Sequence, residues 1–308
     1  MIEYTIKRIL FLVPLLLGVT IICFILVNLN PSNPAEVTLR INNITVTPQA
    51  IEETKKELGL DKPLIEQYFL WIQNLIKGDL GTSYETKTSV KEELINAIPV
   101  TFYLAMFALF LIIVFGLAIG VLCAYYENSY FDKIIRIAIF TLTAVPSFWL
   151  ALLFIWFFSI YLNIFPSNGL ESFNGIVLPS LTLALAYICV FIRIIRNSLI
   201  EIKNSLFITY ARARGLSKFQ ILRHEIKNIT TPFIVATTMA IPKLLAGTVI
   251  IENIFALPGL GRLCVHAIFA RDYPIIQAYV LFIAILFIIF NLITDIWLQM
   301  RDSRLKAI

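Results

Sequence analysis

The chain has 308 residues, of which 59% are hydrophobic and 15% charged, and its mean hydropathy is +0.84. A soluble domain carries about 25% charged residues, so this composition excludes an ordinary soluble protein and describes an integral membrane protein. The net charge of +5 is then a statement about topology, because Lys and Arg collect in cytoplasmic loops of membrane proteins. It does not signal a nucleic-acid partner.

The first apolar run covers residues 9–29 and follows Lys7 and Arg8. It is too long for a secretory signal and lacks a small-residue cleavage site, so it reads as a signal-anchor helix with its N-terminus inside. Residues 1–29 thus form a tail and a first span. Residues 30–98 are the one long polar segment, placed outside because a single span precedes them. Thr47 and Pro48 fit the N-cap and N1 positions of a helix running to Leu60. Pro63 opens a second helix, with Leu64, Tyr68, Trp71, Leu75 and Ile76 at helical spacing, and the stretch from Gly78 to Tyr84 breaks it.

Apolar runs follow at 99–125, 134–162, 176–195, 233–255 and 275–300. With the first they make six spans, so the fold expected is all-α, with residues 99–308 as a five-helix core and both termini cytoplasmic. The charges agree with that orientation. The loop 163–175 has no Lys or Arg and carries Glu171, whereas Arg301, Arg304 and Lys306 lie in the tail. Gly116 and Gly120 have the spacing that lets another helix approach closely. Pro146 falls inside the third run and predicts a kink whose freed backbone groups need protein or water.

The segment 197–232 is strongly basic, with Lys203, Arg212, Arg214, Lys218, Arg223 and Lys227 against Glu201 and Glu225. Thr209, Tyr210, Ala211, Arg212, Ala213, Arg214, Gly215 and Leu216 read as a helix end with a left-handed glycine cap. Ser217 and Gln220 then match a capping box, with Phe219, Leu222 and Ile226 on one face of a second short helix. Two amphipathic helices joined by a hinge suggest a docking element.

Lys243 lies near the middle of the fifth run, just after Pro242. A charge at that depth costs about 3 kcal/mol on insertion scales, so it is expected to face a translocation path or tie the chain to another subunit. Glu252 is nine residues on, about 13 Å along a straight helix, too far to pair with it on the same helix. Beyond the span come Pro258, Gly259, Gly261 and Arg262, read as a tight external turn, then Arg271, Asp272, Tyr273 and Pro274.

Several chemistries find no residues to carry them. No phosphate-binding G-x-x-x-x-G-K-[ST] loop is present, nor H-E-x-x-H or G-x-S-x-G. Cys23, Cys123, Cys189 and Cys264 are scattered, and the two His, at 224 and 266, fall on opposite sides of the membrane. An intramembrane enzyme or a passive channel is therefore disfavoured, with no catalytic, cofactor-binding or metal-ligating residues expected.

The stretch Thr209 to Gly215 resembles the cytoplasmic loop of permease subunits of bacterial ABC importers, in the dipeptide, oligopeptide and nickel branch. Thr209 takes the place of the general signature's Glu, Ala211 its second Ala and Gly215 its Gly. The run from Glu252 through Ile254, Phe255, Pro258, Gly259 and Gly261 to Arg262 is similar to the same branch, as is Arg271-Asp272-Tyr273-Pro274 followed by Gln277. The wording around Ile250 to Ala256 leans toward the nickel members. Further likeness lies at Pro146-Ser147-Phe148-Trp149 and in the first outer loop, so the resemblance covers nearly the whole chain. It implies a type I importer permease of the bacterial inner membrane. The implied partners are a second permease, two ATPase subunits that bind ATP and magnesium, and an extracytoplasmic binding protein meeting residues 252–272. The cargo implied is nickel as a chelate, or di- and oligopeptides, with residues 197–232 transmitting ATPase closure.

Overall fold

The computed structural model describes residues 2–29, 33–169 and 174–301. Glu171, Arg304 and Lys306 lie outside these residues. The helices in chain order are α1 (Ile2–Asn28), α2 (Pro34–Ile41), α3 (Pro48–Glu57), α4 (Leu64–Ile76), α5 (Val90–Tyr125), α6 (Tyr130–Ala144), α7 (Ser147–Phe154), α8 (Asn174–Lys203), α9 (Leu206–Ala213), α10 (Lys218–Ile254), α11 (Leu260–Ala270) and α12 (Tyr273–Arg301). A π-helical turn, Ile155–Tyr161, continues α7. Among the described residues the one β pairing is an isolated bridge between Thr82 and Ser89.

Five helices are long and apolar enough to cross a membrane, and α6 with α7 and its π turn makes a sixth if counted as one span. The kink expected at Pro146 is a full break, with the two halves bent by 103°. Its cause is local. Proline lacks an N–H and disfavours helix at the residue before it, and Val145 is extended. The Pro146 carbonyl then accepts from the Trp149 and Leu150 amides and restarts the helix.

The helices of the polar segment 30–98 begin where their caps dictate. Thr47 accepts from the Ala50 amide with Pro48 first in the helix, and Pro63 precedes α4. α2, capped by Asn33, was not foreseen because its apolar pattern is only two turns long. α11 replaces most of the tight turn expected after Pro258, with Gly259 at its N-cap.

The chain divides into two compact units. One comprises Met1–Thr101 with Pro258–Ile289, the other Phe102–Leu257 with Phe290–Ile308. In the first, Val90, Leu94, Ala97, Leu260, Ala267, Ile275 and Ala278 form a core, and the Phe24 ring meets Tyr68 edge-on at 5.4 Å. In the second, α8 packs against α10, α7 and α6. It is the most enclosed span, with 67% of its apolar window buried, against 22–33% for the other four unbroken spans. The glycine pair explains part of this: a Cβ on Gly116 would stand 2.8 Å from Phe191 Cβ, and one on Gly120 2.8 Å from Ile195 Cβ. Only glycine permits α8 to lie this close.

Candidate functional site

α9 and α10 meet at a corner closed by a cap on each side. α9 ends at Ala213 with Arg214 as its cap, and Gly215 takes φ +77°. The Gly215 amide donates to the Arg212 carbonyl at 3.0 Å and the Leu216 amide to the Ala211 carbonyl at 3.3 Å, the double bond pattern of a Schellman cap. α10 then opens with both halves of the expected capping box. The Ser217 hydroxyl accepts from the Gln220 amide at 3.3 Å, and the Gln220 side-chain oxygen accepts from the Ser217 amide at 2.9 Å. The corner is therefore a rigid elbow rather than a loose hinge.

One expectation for this segment is corrected. The second helix is not short: α10 runs on as the fifth span, because neither Pro232 nor Pro242 ends it. Phe219 and Ile226 lie on its exposed side. Ile221 and Ile229 are buried, while Phe219 is 77% exposed. On α9, Ile208 and Ala211 face inward, and Leu206, Phe207 and Tyr210 are exposed, Leu206 at 77%. Phe207 and His224 meet edge-on at 5.8 Å and brace the corner. The outer side of the elbow thus presents large apolar side chains beside the exposed Thr209, Arg212, Ala213 and Arg214, with Leu216 half-buried.

Pro146 is exposed at the broken span, and Lys243 is exposed on α10. Its main-chain carbonyl accepts from the Tyr187 hydroxyl at 3.1 Å, and among the described residues its ammonium has no ion-pair partner. Met239 and Ile250, one and two turns away, are exposed on the same side. Glu252 is fully buried, so its side chain is not offered at the chain's own surface.

In the first unit Pro258 and Arg262 are exposed, Gly259 and Gly261 are buried, and Arg271 adopts a left-handed conformation at φ +59°. The Leu260 amide donates to the Thr101 hydroxyl at 2.8 Å. Asp272 is wholly buried. Its Oδ2 accepts from the Ser83 hydroxyl and, at 3.3 Å, from the Glu85 amide. Its Oδ1 has no hydrogen-bond partner among the described residues. Burial raises the Asp272 carboxyl above the usual range, with Ser83 and nearby amides pulling it back. Burial and the Asp272 charge likewise raise the Tyr84 phenol.

One buried site escaped the sequence reading. Asp132, at the start of α6, is fully buried. Arg196 of α8 grips it, with Nε donating to Oδ1 at 2.6 Å and Nη2 to Oδ2 at 2.8 Å. The Asn128 amide adds a bond at 3.1 Å, and Arg136 Nε stands at 3.5 Å. Ser129, the N-cap of α6, fixes the turn that carries Asp132. The Ser-x-x-Asp spacing was a signal for the cap, but nothing in the sequence pairs residues 132 and 196. The four cysteines are free and buried, and no group of three or more His, Cys, Asp or Glu among the described residues is placed to hold a metal ion.

Comparisons with known proteins bear on this geometry. Residues 116–307 match the family described as binding-protein-dependent transport system inner membrane component, and residues 1–105 match its N-terminal companion. The chain is 35% identical over 307 residues to the metal-staphylopine import system permease protein CntB of Staphylococcus aureus, covering 99% of each chain. It is 34% identical over 297 residues to the glutathione transport system permease protein GsiC of Escherichia coli, covering 96% of each. The fold is similar to a chain in an inward-facing structure of the MetNI methionine ABC transporter, with a TM-score of 0.57 and 19% identity over 66% of this chain and 93% of that one.

Proposed function

The chain belongs to the inner-membrane components of binding-protein-dependent transport systems, in the peptide and nickel branch of ABC importer permeases, and from that premise we propose how it couples to its motor and what it carries. It is a non-catalytic permease subunit. With a second permease it forms a translocation path for nickel held as a chelate, or for di- and oligopeptides. ATP is hydrolysed on two separate subunits, and an extracytoplasmic protein delivers cargo to the 252–272 side. Both termini and residues 197–232 are cytoplasmic.

The observation that carries the coupling is the elbow. An apolar surface of Leu206, Phe207, Tyr210 and Phe219 stands exposed on a corner held by a Schellman cap and a capping box. Large exposed apolar patches mark partner surfaces, and a rigid corner passes displacement into α10 as rigid-body movement. Exposed ion pairs contribute about 1 kcal/mol or less, so shape outweighs the charges of Arg212 and Arg214. Gly215→Val strains the left-handed cap and is expected to abolish retention of the ATPase subunits during purification and to stop uptake, whereas Arg214→Lys preserves both. Normal ATPase retention and uptake by Gly215→Val removes this segment from the coupling role.

Lys243 supports a cargo that carries carboxylates. A peptide ends in one, and carboxylate and nitrogen donors suit nickel chelators. An ammonium within an apolar span gains most from meeting such a group. Lys243→Met is expected to lower uptake while ATPase retention stays normal. Unchanged uptake of both a peptide and a nickel chelate excludes Lys243 from the path.

A further inference from the structure

Arg136, Arg193 and Arg196 line one groove, and two of them, Arg136 and Arg196, meet the Asp132 carboxylate. The groove, of about 250 Å³, lies between α6 and α8, its lining shared between apolar Ile139, Phe140 and Ile192 and polar Arg136, Arg193 and Asn197, with Phe140 a turn deeper along α6 than Arg136. Arg196 is spent on Asp132 through two short bonds. Arg136 reaches the same carboxylate at 3.5 Å and stays 48% exposed. Arg193 is exposed and has no ion-pair partner among the described residues. Three guanidiniums against one acid leave the groove's polar end with an excess of two positive charges.

The groove sits where the apolar runs of α6 and α8 give way to charge, at the membrane's edge. Tyr125, Tyr126 and Tyr130 stand exposed close by in sequence, Tyr130 at 85%, and Lys133 lies over the Tyr130 ring. Exposed aromatics with basic residues are the marks of the headgroup layer. An occupant of this groove must be apolar at the Phe140 end and anionic at the Arg193 end. Basic pockets between membrane helices on the cytoplasmic side bind anionic headgroups, and guanidinium matches phosphate in shape as well as charge.

We infer that the α6–α8 groove binds an anionic phospholipid of the cytoplasmic leaflet, its phosphate between Arg136 and Arg193 and an acyl chain along Ile139, Phe140 and Ile192. The Asn197 side-chain oxygen accepts from Arg196 at 3.4 Å, so its amide group remains as a donor to the headgroup. A lipid here adds a third member to the α6–α8 contact already held by Asp132 and Arg196. The inference rests on the proposed orientation only in naming the leaflet. Its test needs no transport, so its failure leaves the importer reading standing.

The test is lipid binding by the full-length permease in its purified complex, stripped of lipid in detergent and followed by native mass spectrometry. Phosphatidylglycerol is expected to bind and phosphatidylcholine at equal concentration to bind far less. Each basic residue near an anionic headgroup contributes about fivefold in affinity. Arg193→Gln alone is therefore expected to lose about fivefold and Arg136→Gln with Arg193→Gln about 25-fold. The Lys versions of both should retain most binding, and Arg40→Gln on α2 all of it. Among the described residues Arg193 makes no ion pair or side-chain hydrogen bond, so the single variant tests the idea even if the double variant does not fold. Phosphatidylglycerol binding at wild-type strength by Arg193→Gln overturns the inference. So does an equal loss in Arg40→Gln, or displacement of the lipid by millimolar inorganic phosphate, which would make the groove a site for free anions.

Discussion

Asp132 and Asp272 are both wholly buried, one in each compact unit, and they are held in opposite ways. Asp132 has a counter-ion: Arg196 meets both its oxygens and a backbone amide adds a third bond. Asp272 has none within salt-bridge distance among the described residues. A hydroxyl and an amide serve its Oδ2, and its Oδ1 goes without. The first is a clamp between helices, and cutting it leaves a buried charge with only the longer contact to Arg136 at 3.5 Å. The second is a polar anchor that tolerates, and even favours, the neutral acid.

The largest effect should come from breaking the clamp. Removing one partner of a buried ion pair costs about 3–5 kcal/mol, far more than replacing both with apolar groups. Arg196→Met is therefore expected to lower the melting temperature of the purified protein sharply, and Arg196→Met with Asp132→Leu to recover most of the loss. A single variant that melts like wild type would show that Arg136 or water is enough to hold Asp132, and Arg196 would not be the clamp.

A smaller effect tests whether the ion pair holds α8 alone or with the glycine contact above it. Ala at Gly120 puts a methyl 2.8 Å from Ile195 Cβ and 3.2 Å from the Ile192 carbonyl. Overpacking of this kind costs about 1–3 kcal/mol. Gly18→Ala in α1 meets nothing within 4 Å and serves as the control, with no loss expected. If Gly120→Ala is also harmless, α8 has room to move and the ion pair is its main restraint.

Much of this could be read from the residues. Spans follow from runs of apolar residues, because lipid forces every backbone group into a helix. Caps follow from local chemistry, so Thr47, Ser217 and Gly215 each stand where their side chains, or lack of one, required. Long-range partners had no such signal. Arg196 lies 64 positions from Asp132 and Ser83 189 from Asp272, and neither pairing leaves a trace in local pattern. Which side of early α10 is buried is likewise illegible in local pattern: Ile221 and Ile229 turn inward and Phe219 and Ile226 outward. Phe219 and Ile226 are apolar at helical spacing, but an apolar stripe awaiting a partner looks the same in sequence as one facing the core.

The smallest effect concerns Asp272, and its sign rather than its size is informative. Burial raises its folded carboxyl above the unfolded value. The protonated acid is thus favoured by folding, and this contribution to stability is present at low pH and lost as pH rises through the folded value. Asp272→Asn keeps the shape and an oxygen for the Ser83 hydroxyl while removing the charge. At neutral pH the change is expected to be about 1 kcal/mol or less, and stabilising if desolvation outweighs the lost bonds. Other polar groups lie in this unit, including His266, whose Nδ1 lies 3.1 Å from Glu85. The quantity to follow is therefore the difference in melting temperature between wild type and Asp272→Asn across pH. As pH falls from 7 toward the carboxylate range, the wild type should gain on the variant, because only it takes up the proton. A difference that moves the other way would mean Asp272 is held as a charged carboxylate by a cation, and the two buried acids would be alike.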